Sequence, residues 1–390
     1  MKSMSLRCAV LIAVLSLLAS CGGGGNGGGT PGTTIQRITS SGGRVAWYKG
    51  TASTHSKIAF DAIVSTATQS TEVYIMDPDG SNVTCVTCSD TIIPKGFIGQ
   101  PEWHPDGQHL VIQAENANSM HTRYNHLAWG INQDLWIIKI DGTGAEKIFD
   151  NSSLVNWAAL HPHFDAGGSK LIFSQRVATG VTITALVGTT PGGENPWAGW
   201  QIHLADYYSA GTGTGKLSNH TILYGTGTAA SRGFFETHGF FNNKILFSAT
   251  TGSQVGYAYV DDVYSANLDG TGMVNLTNST STWEEHGTYS PSGNSFVFIS
   301  SRVNPAWQAP ADNAGNLRTE LYIQNLQKGG TIQQLTSFNA NGDPNKRYLT
   351  SDYDWDRTGQ RIVVQVAPVD NLSGAADPPE IWMITFPEPQ

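Results

Sequence analysis

Four short stretches of the chain place acids and imidazoles just ahead of alternating apolar runs. They are His161-Pro162-His163, Glu236-Thr237-His238, Glu284-Glu285-His286 and Asp352-Tyr353-Asp354. Imidazole with carboxylate is a donor set for zinc, manganese or iron, because three neutral imidazoles can hold such an ion. The metal-ligating candidates are therefore His161, His238 and His286, with Glu236 and Glu285 beside them. One divalent ion (Mn, Zn or Fe) is the expected cofactor. The competing reading is that each histidine only ends its strand, bonded to backbone or water. Strict alternation along a strand would let only one of His161 and His163 face the same side. His104, in the turn His104-Pro105-Asp106-Gly107, reads as structural.

What must position these residues is a repeated strand. "EVYIMDPDG" from Glu72, "DLWIIKIDG" from Asp134, "DVYSANLDG" from Asp262 and "ELYIQNLQKGG" from Glu320 share an acid, alternating residues and a glycine turn. "EIWMITF" from Glu380 is a fifth copy, and "WQIHLADY" from Trp200 a degenerate sixth. Each is preceded by a hairpin such as "YSPSGNSFVFISSR", whose Ser-Gly, Asp-Gly or Asn-Asn supplies the turn. Two hairpins per repeat make a four-stranded antiparallel unit, and a spacing of roughly 50–70 residues fits propeller blades. The expected fold is all-β, a six-bladed β-propeller. The last blade lacks its outer strand, and "GTTIQRITS" (Gly32 to Ser40) reads like "GGTIQQLTS" (Gly329 to Ser337). The N-terminal segment should therefore complete that blade and close the ring, leaving few open edges.

With "EWHPDG", "YSPSG", "FISSR" and "ELYIQNLQKGG" in place, the chain resembles the TolB-like six-bladed β-propellers over nearly all of Ile35 to Pro387. That resemblance, to what are also described as WD40-like PD40 repeats, implies a fold and leaves the activity open. The chain is not TolB itself, since a glycine tether stands where that protein has an α/β domain. Residues 1–20 carry a basic start, a short apolar run and small residues, the pattern of an export signal. Leu18-Ala19-Ser20-Cys21 resembles a bacterial lipobox, in which Cys21 would be acylated. Residues 21–34 read as a flexible tether and 35–390 as the propeller domain. The implied location is the cell envelope, with a lipid anchor as the only membrane attachment, at the outer membrane on its periplasmic face or at the cell surface.

A formal net charge of −9 argues against nucleic acid as a partner, because phosphate contacts need clustered Lys and Arg. No nucleotide or haem motif is present. Cys85 and Cys88, in an exported chain, are expected to form a local disulfide. In a propeller the longest connections gather on one face, and here they hold Trp129, Trp197, Trp307, Arg123 and Tyr124, the ligand-binding candidates. The starts of the innermost strands, with their acids and histidines, are expected to open onto that same face. Two functions fit. The first is a monomeric, lipid-anchored module binding an envelope protein or glycan through its long-loop face. The second is a metal-dependent, polysaccharide-active enzyme. The histidine cluster is similar in outline to that of oligogalacturonate lyases, though those have seven blades. The resemblance implies uronate elimination, with a cation neutralising the carboxylate and a base removing the neighbouring proton.

Overall fold

In the computed structural model the described residues are 32–50, 56–65, 68, 70–119, 130–178, 195, 197–228, 233–250, 260–279, 281–304, 317–327, 329–340, 345–370 and 378–390. They form six four-stranded antiparallel sheets. The chain enters through β1 (Thr34–Thr39). Blade one is β2 (Val45–Trp47), β3 (Ile58–Ser65), β4 (Ser70–Met76) and β5 (Thr84–Cys85). Blade two is β6 (Ile98–Trp103), β7 (His109–Glu115), β8 (Gln133–Lys139) and β9 (Glu146–Phe149). Blade three is β10 (Ala158–Phe164), β11 (Lys170–Arg176), β12 (Trp200–Tyr207) and β13 (Leu217–Tyr224). Blade four is β14 (Phe235–Phe241), β15 (Lys244–Ala249), β16 (Asp262–Asn267) and β17 (Val274–Asn275). Blade five is β18 (Glu284–Tyr289), β19 (Ser295–Ser300), β20 (Glu320–Asn325) and β21 (Ile332–Gln334). Blade six is β22 (Lys346–Trp355), β23 (Arg361–Asp370) and β24 (Glu380–Thr385), and β1 is its outer strand.

Ring closure is as the sequence implies: Thr34 pairs with Thr385, Ile35 with Ile384 and Gln36 with Met383. The alternating residues of each blade pack against the next blade, so the core lies between blades. One cluster joins Val45, Trp47 and Phe60 of blade one to Val363, Ile381 and Met383 of blade six. Others join blades one and two through Val73 and Leu110, and blades five and six through Val297 and Ile362.

The acids near the start of the third strands of blades two, four, five and six have a structural job. Asp134 accepts from the Asn151 N–H at 2.8 Å and pairs with Lys147 at 2.7 Å. Asp262 receives Asn275, Thr277 and Ser279, and Glu320 receives Thr336 and Asn339. Glu380 does the same for the closing strand, pairing with Arg37 at 2.6 Å. These acids fasten the outer strand or the connection that leads to the next blade. Cys85 and Cys88 are disulfide-bonded.

Candidate metal centre

The innermost strand of blades two to six carries one residue more than its neighbour can pair. Register slips between Gly99 and Glu102, Leu160 and His163, Thr237 and Gly239, Glu285 and Thr288, and Thr350 and Tyr353. Gln100, His161, His238, His286 and Asp352 lie in those gaps. A bulge bends its strand and re-aims a side chain, so five blades each deliver one polar group towards the axis. Gln100, His161 and His286 take φ of 54°, 49° and 51°. Non-glycine residues hold that left-handed conformation at a cost of about 1 kcal/mol or more, and it recurs at functional sites. Gly287 follows His286, where a Cβ would lie 2.4 Å from Val263 Cγ1 and 2.6 Å from Phe296 Cζ. Packing against those two side chains leaves room for glycine alone.

The bulged side chains converge. His161, His238 and His286 offer donor atoms that all lie within 4.8 Å of one another. Metal–nitrogen bonds near ~2.1 Å put two ligand nitrogens about 3–4.5 Å apart, so small side-chain rotations bring the three onto one ion. His238 is the most telling member. Its Nε2 lies 2.7 Å from Ser248 Oγ and 3.2 Å from the His286 backbone nitrogen, while its buried Nδ1 has no partner. Whichever nitrogen carries the proton, one buried polar atom is left unsatisfied, at a cost of about 1–3 kcal/mol. The His286 N–H donates to Nε2 as it stands; moving the proton to Nε2, where it can be donated to Ser248 Oγ, gives up that bond and frees Nδ1 as a metal donor, so the residues fit a transition ion.

Carboxylates stand behind the histidines. Glu236 Oε1 is 2.6 Å from His161 Nε2 and 3.3 Å from His286 Nε2. Glu285 Oε2 is 3.7 Å from the same His286 nitrogen. Burial disfavours charge on Glu236, but the two imidazoles outweigh it and hold the carboxyl well below its usual range. Glu285 goes the other way: burial, then Glu236, push it well above the usual range. Asp261, fully buried, rises for the same reasons. Desolvation lowers His161 despite Glu236, and it lowers His238 well below the usual imidazole value, helped by His286. On His286 desolvation loses to Glu236 and Asp352, and its pKa rises.

On the blade-two side Gln100 Nε2 lies 2.7 Å from His161 Nε2 and donates to Asp352 Oδ1 at 2.9 Å. Arg44 pairs with Asp61 at 3.7 Å. Burial pushes Asp61 up to about 6, against the opposing pull of Arg44 and the Gln100 N–H.

All of this lies at the base of a cavity of about 960 Å³. Its lining includes Pro105, Gly167, Asn242 and Pro291, from the tight turns after the first strands of blades two to five, and Gly50 from the connection after β2. The site therefore opens on the tight-turn face, which corrects the expectation that strand starts would open among the long loops. The extra residue explains the difference: it turns the middle of each inner strand, not its start, into the lining. It also breaks the expected alternation, so His161 and His163 both line the cavity. Glu236 and Glu285, at the strand starts, sit deeper than the lining histidines. Higher on the wall Lys49 pairs with Asp354 at 2.5 Å and His163 with Glu102 at 3.4 Å.

Among the ligand-binding candidates, Trp197 is buried and packs edge-on against Phe234 with ring centroids 5.0 Å apart. It is a core residue, not a surface anchor. Trp129, Trp307, Arg123, Tyr124 and Cys21 lie outside the described residues. The sequence reading left out Gln100, Arg44 and Asp261. Gln100-Pro101 and His161-Pro162 at the same offset were the available signal for the first. His104, Asp106 and His109 form a second group whose donor atoms lie within 4.8 Å, in the turn of blade two.

The chain is thus a six-bladed β-propeller with an imidazole-lined channel. No protein-family profile matches it, and no curated protein does. Among solved structures it is similar to an oligogalacturonate lyase in complex with manganese, at 12% identity and TM-score 0.46, covering 92% of each chain. It is also similar to a puromycin-hydrolysing peptidase of Mycobacterium tuberculosis (11%, TM-score 0.44, 86% of this chain and 53% of that one). A Pyrococcus horikoshii acylaminoacyl peptidase matches at 10% and TM-score 0.44, over 87% of this chain and 46% of the other. The chain spans about half the length of those two peptidases.

Proposed function

We propose that this protein is a metal-dependent enzyme acting on acidic saccharides, with His161, His238 and His286 as the ligands of one transition-metal ion. The observation that carries this is the convergence of three bulge-borne imidazoles, one with an orphaned nitrogen, at the base of an open cavity. When bound, such an ion supplies a Lewis-acid charge that neutralises a substrate carboxylate and acidifies the neighbouring C–H.

The chain's own residues would hold the rest of the substrate. Desolvation opposes charge on Lys49, but Asp354 and Glu102 outweigh it and raise its pKa. It stays an ammonium and serves as an anion and hydroxyl holder, not as a base. Glu102 with His163 is the wall pair placed to accept a proton. Phe240, Phe241 and Tyr289, half-buried in the lining, give the wall apolar faces suited to the C–H faces of sugar rings.

The non-catalytic binding reading loses one of its proposed surface anchors, since Trp197 is buried. A monomer held in the cell envelope by lipid on Cys21 remains our proposal for its location and state, resting on the Leu18–Cys21 motif. The test is to incubate the purified chain with polygalacturonate and other uronate polymers, with and without added Mn²⁺. Elimination would appear as a conjugated, ultraviolet-absorbing product that a chelator abolishes. Binding of these polymers without turnover, unaffected by chelator, would refute the enzyme reading and favour the binding module.

A further inference from the structure

A bulge takes its extra residue out of the strand ladder, and the buried N–H and C=O groups freed there need other partners. In this propeller the blade before supplies them. The Gln100 N–H donates to Asp61 Oδ2 at 3.1 Å, and the His161 N–H to Gln113 Oε1 at 2.8 Å. At the edge of the blade-four bulge the Thr237 N–H donates to Ser174 Oγ at 3.0 Å. Asp61, Gln113 and Ser174 hold one repeat position in the second strands of successive blades. Each directly follows the residue that pairs with Tyr74, Trp136 or His203 of the third strand.

His161 is held from both sides. Blade two takes its N–H through Gln113, and blade four reaches its C=O through the Thr237 hydroxyl, which donates at 2.6 Å. Both clamps are themselves fixed. Gln113 Nε2 donates to Gln133 Oε1 at 2.8 Å, which aims the amide oxygen at His161, and Ser174 anchors the Thr237 backbone. Gln113 and Thr237 are both 0% exposed, and neither is part of the cavity lining. His161 has a φ of 49°. A non-glycine residue keeps that conformation only where its surroundings over-determine it. Two backbone groups anchored by opposite blades do so, and without them the extra residue can relax and swing its imidazole off the axis.

We infer that Gln113 and Thr237 are positioning residues of the metal centre, setting the aim of the His161 imidazole from the two flanking blades without touching the ion. The inference rests on the reading of His161 as a metal ligand. It makes ligand geometry depend on how the blades sit against one another, since a shift of blade two or four reaches His161 directly. Partners that orient metal ligands typically contribute roughly 10–100-fold to metal affinity. Gln365 is the built-in control. It holds the same repeat position in blade six, but β2 of the next blade pairs with β3 without a slip, and Gln365 Oε1 is buried with no partner among the described residues.

The test titrates Co²⁺ into the full chain after stripping with chelator, because the visible absorption of Co²⁺ reports the number and arrangement of its ligands. Gln113→Met removes the acceptor at similar size, and Thr237→Val removes the hydroxyl at the same shape. Each should weaken Co²⁺ binding roughly 10–100-fold and alter the absorption bands, at a temperature where the variant is still folded. Thr237→Ser, which keeps the hydroxyl, should restore the wild-type affinity and spectrum, and Gln365→Met should leave both unchanged. If Gln113→Met fails to fold, the Thr237→Val and Thr237→Ser pair decides alone. Lower melting temperatures in Gln113→Met and Thr237→Val with wild-type Co²⁺ affinity and spectrum would overturn the inference and leave the metal reading standing. Equal weakening in Gln365→Met would also overturn it, as a general effect of core damage. No Co²⁺ binding by the wild type would overturn the metal reading and the inference with it.

Discussion

Two groups of histidines and acids in this propeller pass the same distance criterion and differ in everything else. His104, Asp106 and His109 come from one turn, six residues of chain. Their atoms are already used: His104 Nε2 meets the Gly168 carbonyl at 3.1 Å, and Asp106 takes His109 Nδ1 at 2.7 Å and the Gln108 N–H at 2.7 Å. The His104 ring also packs on Phe164 and Tyr207. It is a clamp between blades two and three. His161, His238 and His286 come from three blades, ride on bulges, and leave a buried nitrogen without a partner. Proximity of ligating side chains is therefore a weak sign of a site. Convergence from distant strands, at a conformational cost and with unmet bonding capacity, is a strong one.

That contrast can be broken most violently by opening the ring. Deleting Gly32 to Ser40 removes β1, exposes the edge of blade six and unfastens Glu380 from Arg37. Stability should fall by about 4 kcal/mol or more, as for other losses of buried structure. Because the central triad depends on the ring while the blade-two turn does not, metal affinity should fall with it. Denaturant melts and metal titration check both, and an unchanged midpoint would mean that β1 does not close the propeller.

The next largest effect should come from His238→Ala. It removes a ligand without touching any ion pair, so metal content at the triad should collapse. The gain in melting temperature on adding metal should vanish too. At a metal concentration one hundred times Kd, that gain corresponds to about 2.7 kcal/mol in the wild type.

Acid should dissect the triad in order. Ligation requires neutral imidazole. His286 is raised, so protons begin to compete for it at a higher pH than for an ordinary histidine; His161 and His238 are lowered and resist until a lower pH. Metal affinity should therefore weaken with a slope of about one proton per ion just below neutrality and steepen on further acidification. In the metal-free chain the sign is reversed for His286. Its raised pKa adds stability that is full below the unfolded value of about 6.5 and is lost as pH rises through the folded value. Glu236, held low, adds stability above its unfolded value near ~4.3 that is lost as pH falls through the folded one. His161 and His238, held low, work the other way: the unfolded chain protonates them first, so they cost stability as pH falls below about 6.5. Thermal melts across pH, with and without metal, measure the two trends separately.

The smallest effect belongs to the turn. His104→Ala should cost about 1–2 kcal/mol through its lost packing and carbonyl bond, with metal content unchanged. A loss of metal in that variant would erase the distinction between the two groups.

The repeat made the blades legible, because an acid, alternating apolar residues and a glycine turn leave few other architectures. Ring closure was legible from the likeness of Gly32–Ser40 to Gly329–Ser337. The histidines were legible as candidates, since each stands at the same place in its blade. What escaped was the bulge. A single extra residue exchanges the two faces of a strand, so alternation alone misjudged His161 with His163 and placed the opening on the wrong face. Arg44 and Asp261 escaped for another reason. They flank strands with no local pattern of their own, and only the ring brings them to the axis.

The central claim is that one ion sits among His161, His238 and His286. Crystals of the metal-loaded chain, with anomalous diffraction recorded at the metal's absorption edge, test it most directly. The account predicts a peak at the base of the cavity within about 2.3 Å of one nitrogen from each of the three imidazoles. A map with no peak there, or with its only peak at His104 and His109, would contradict it.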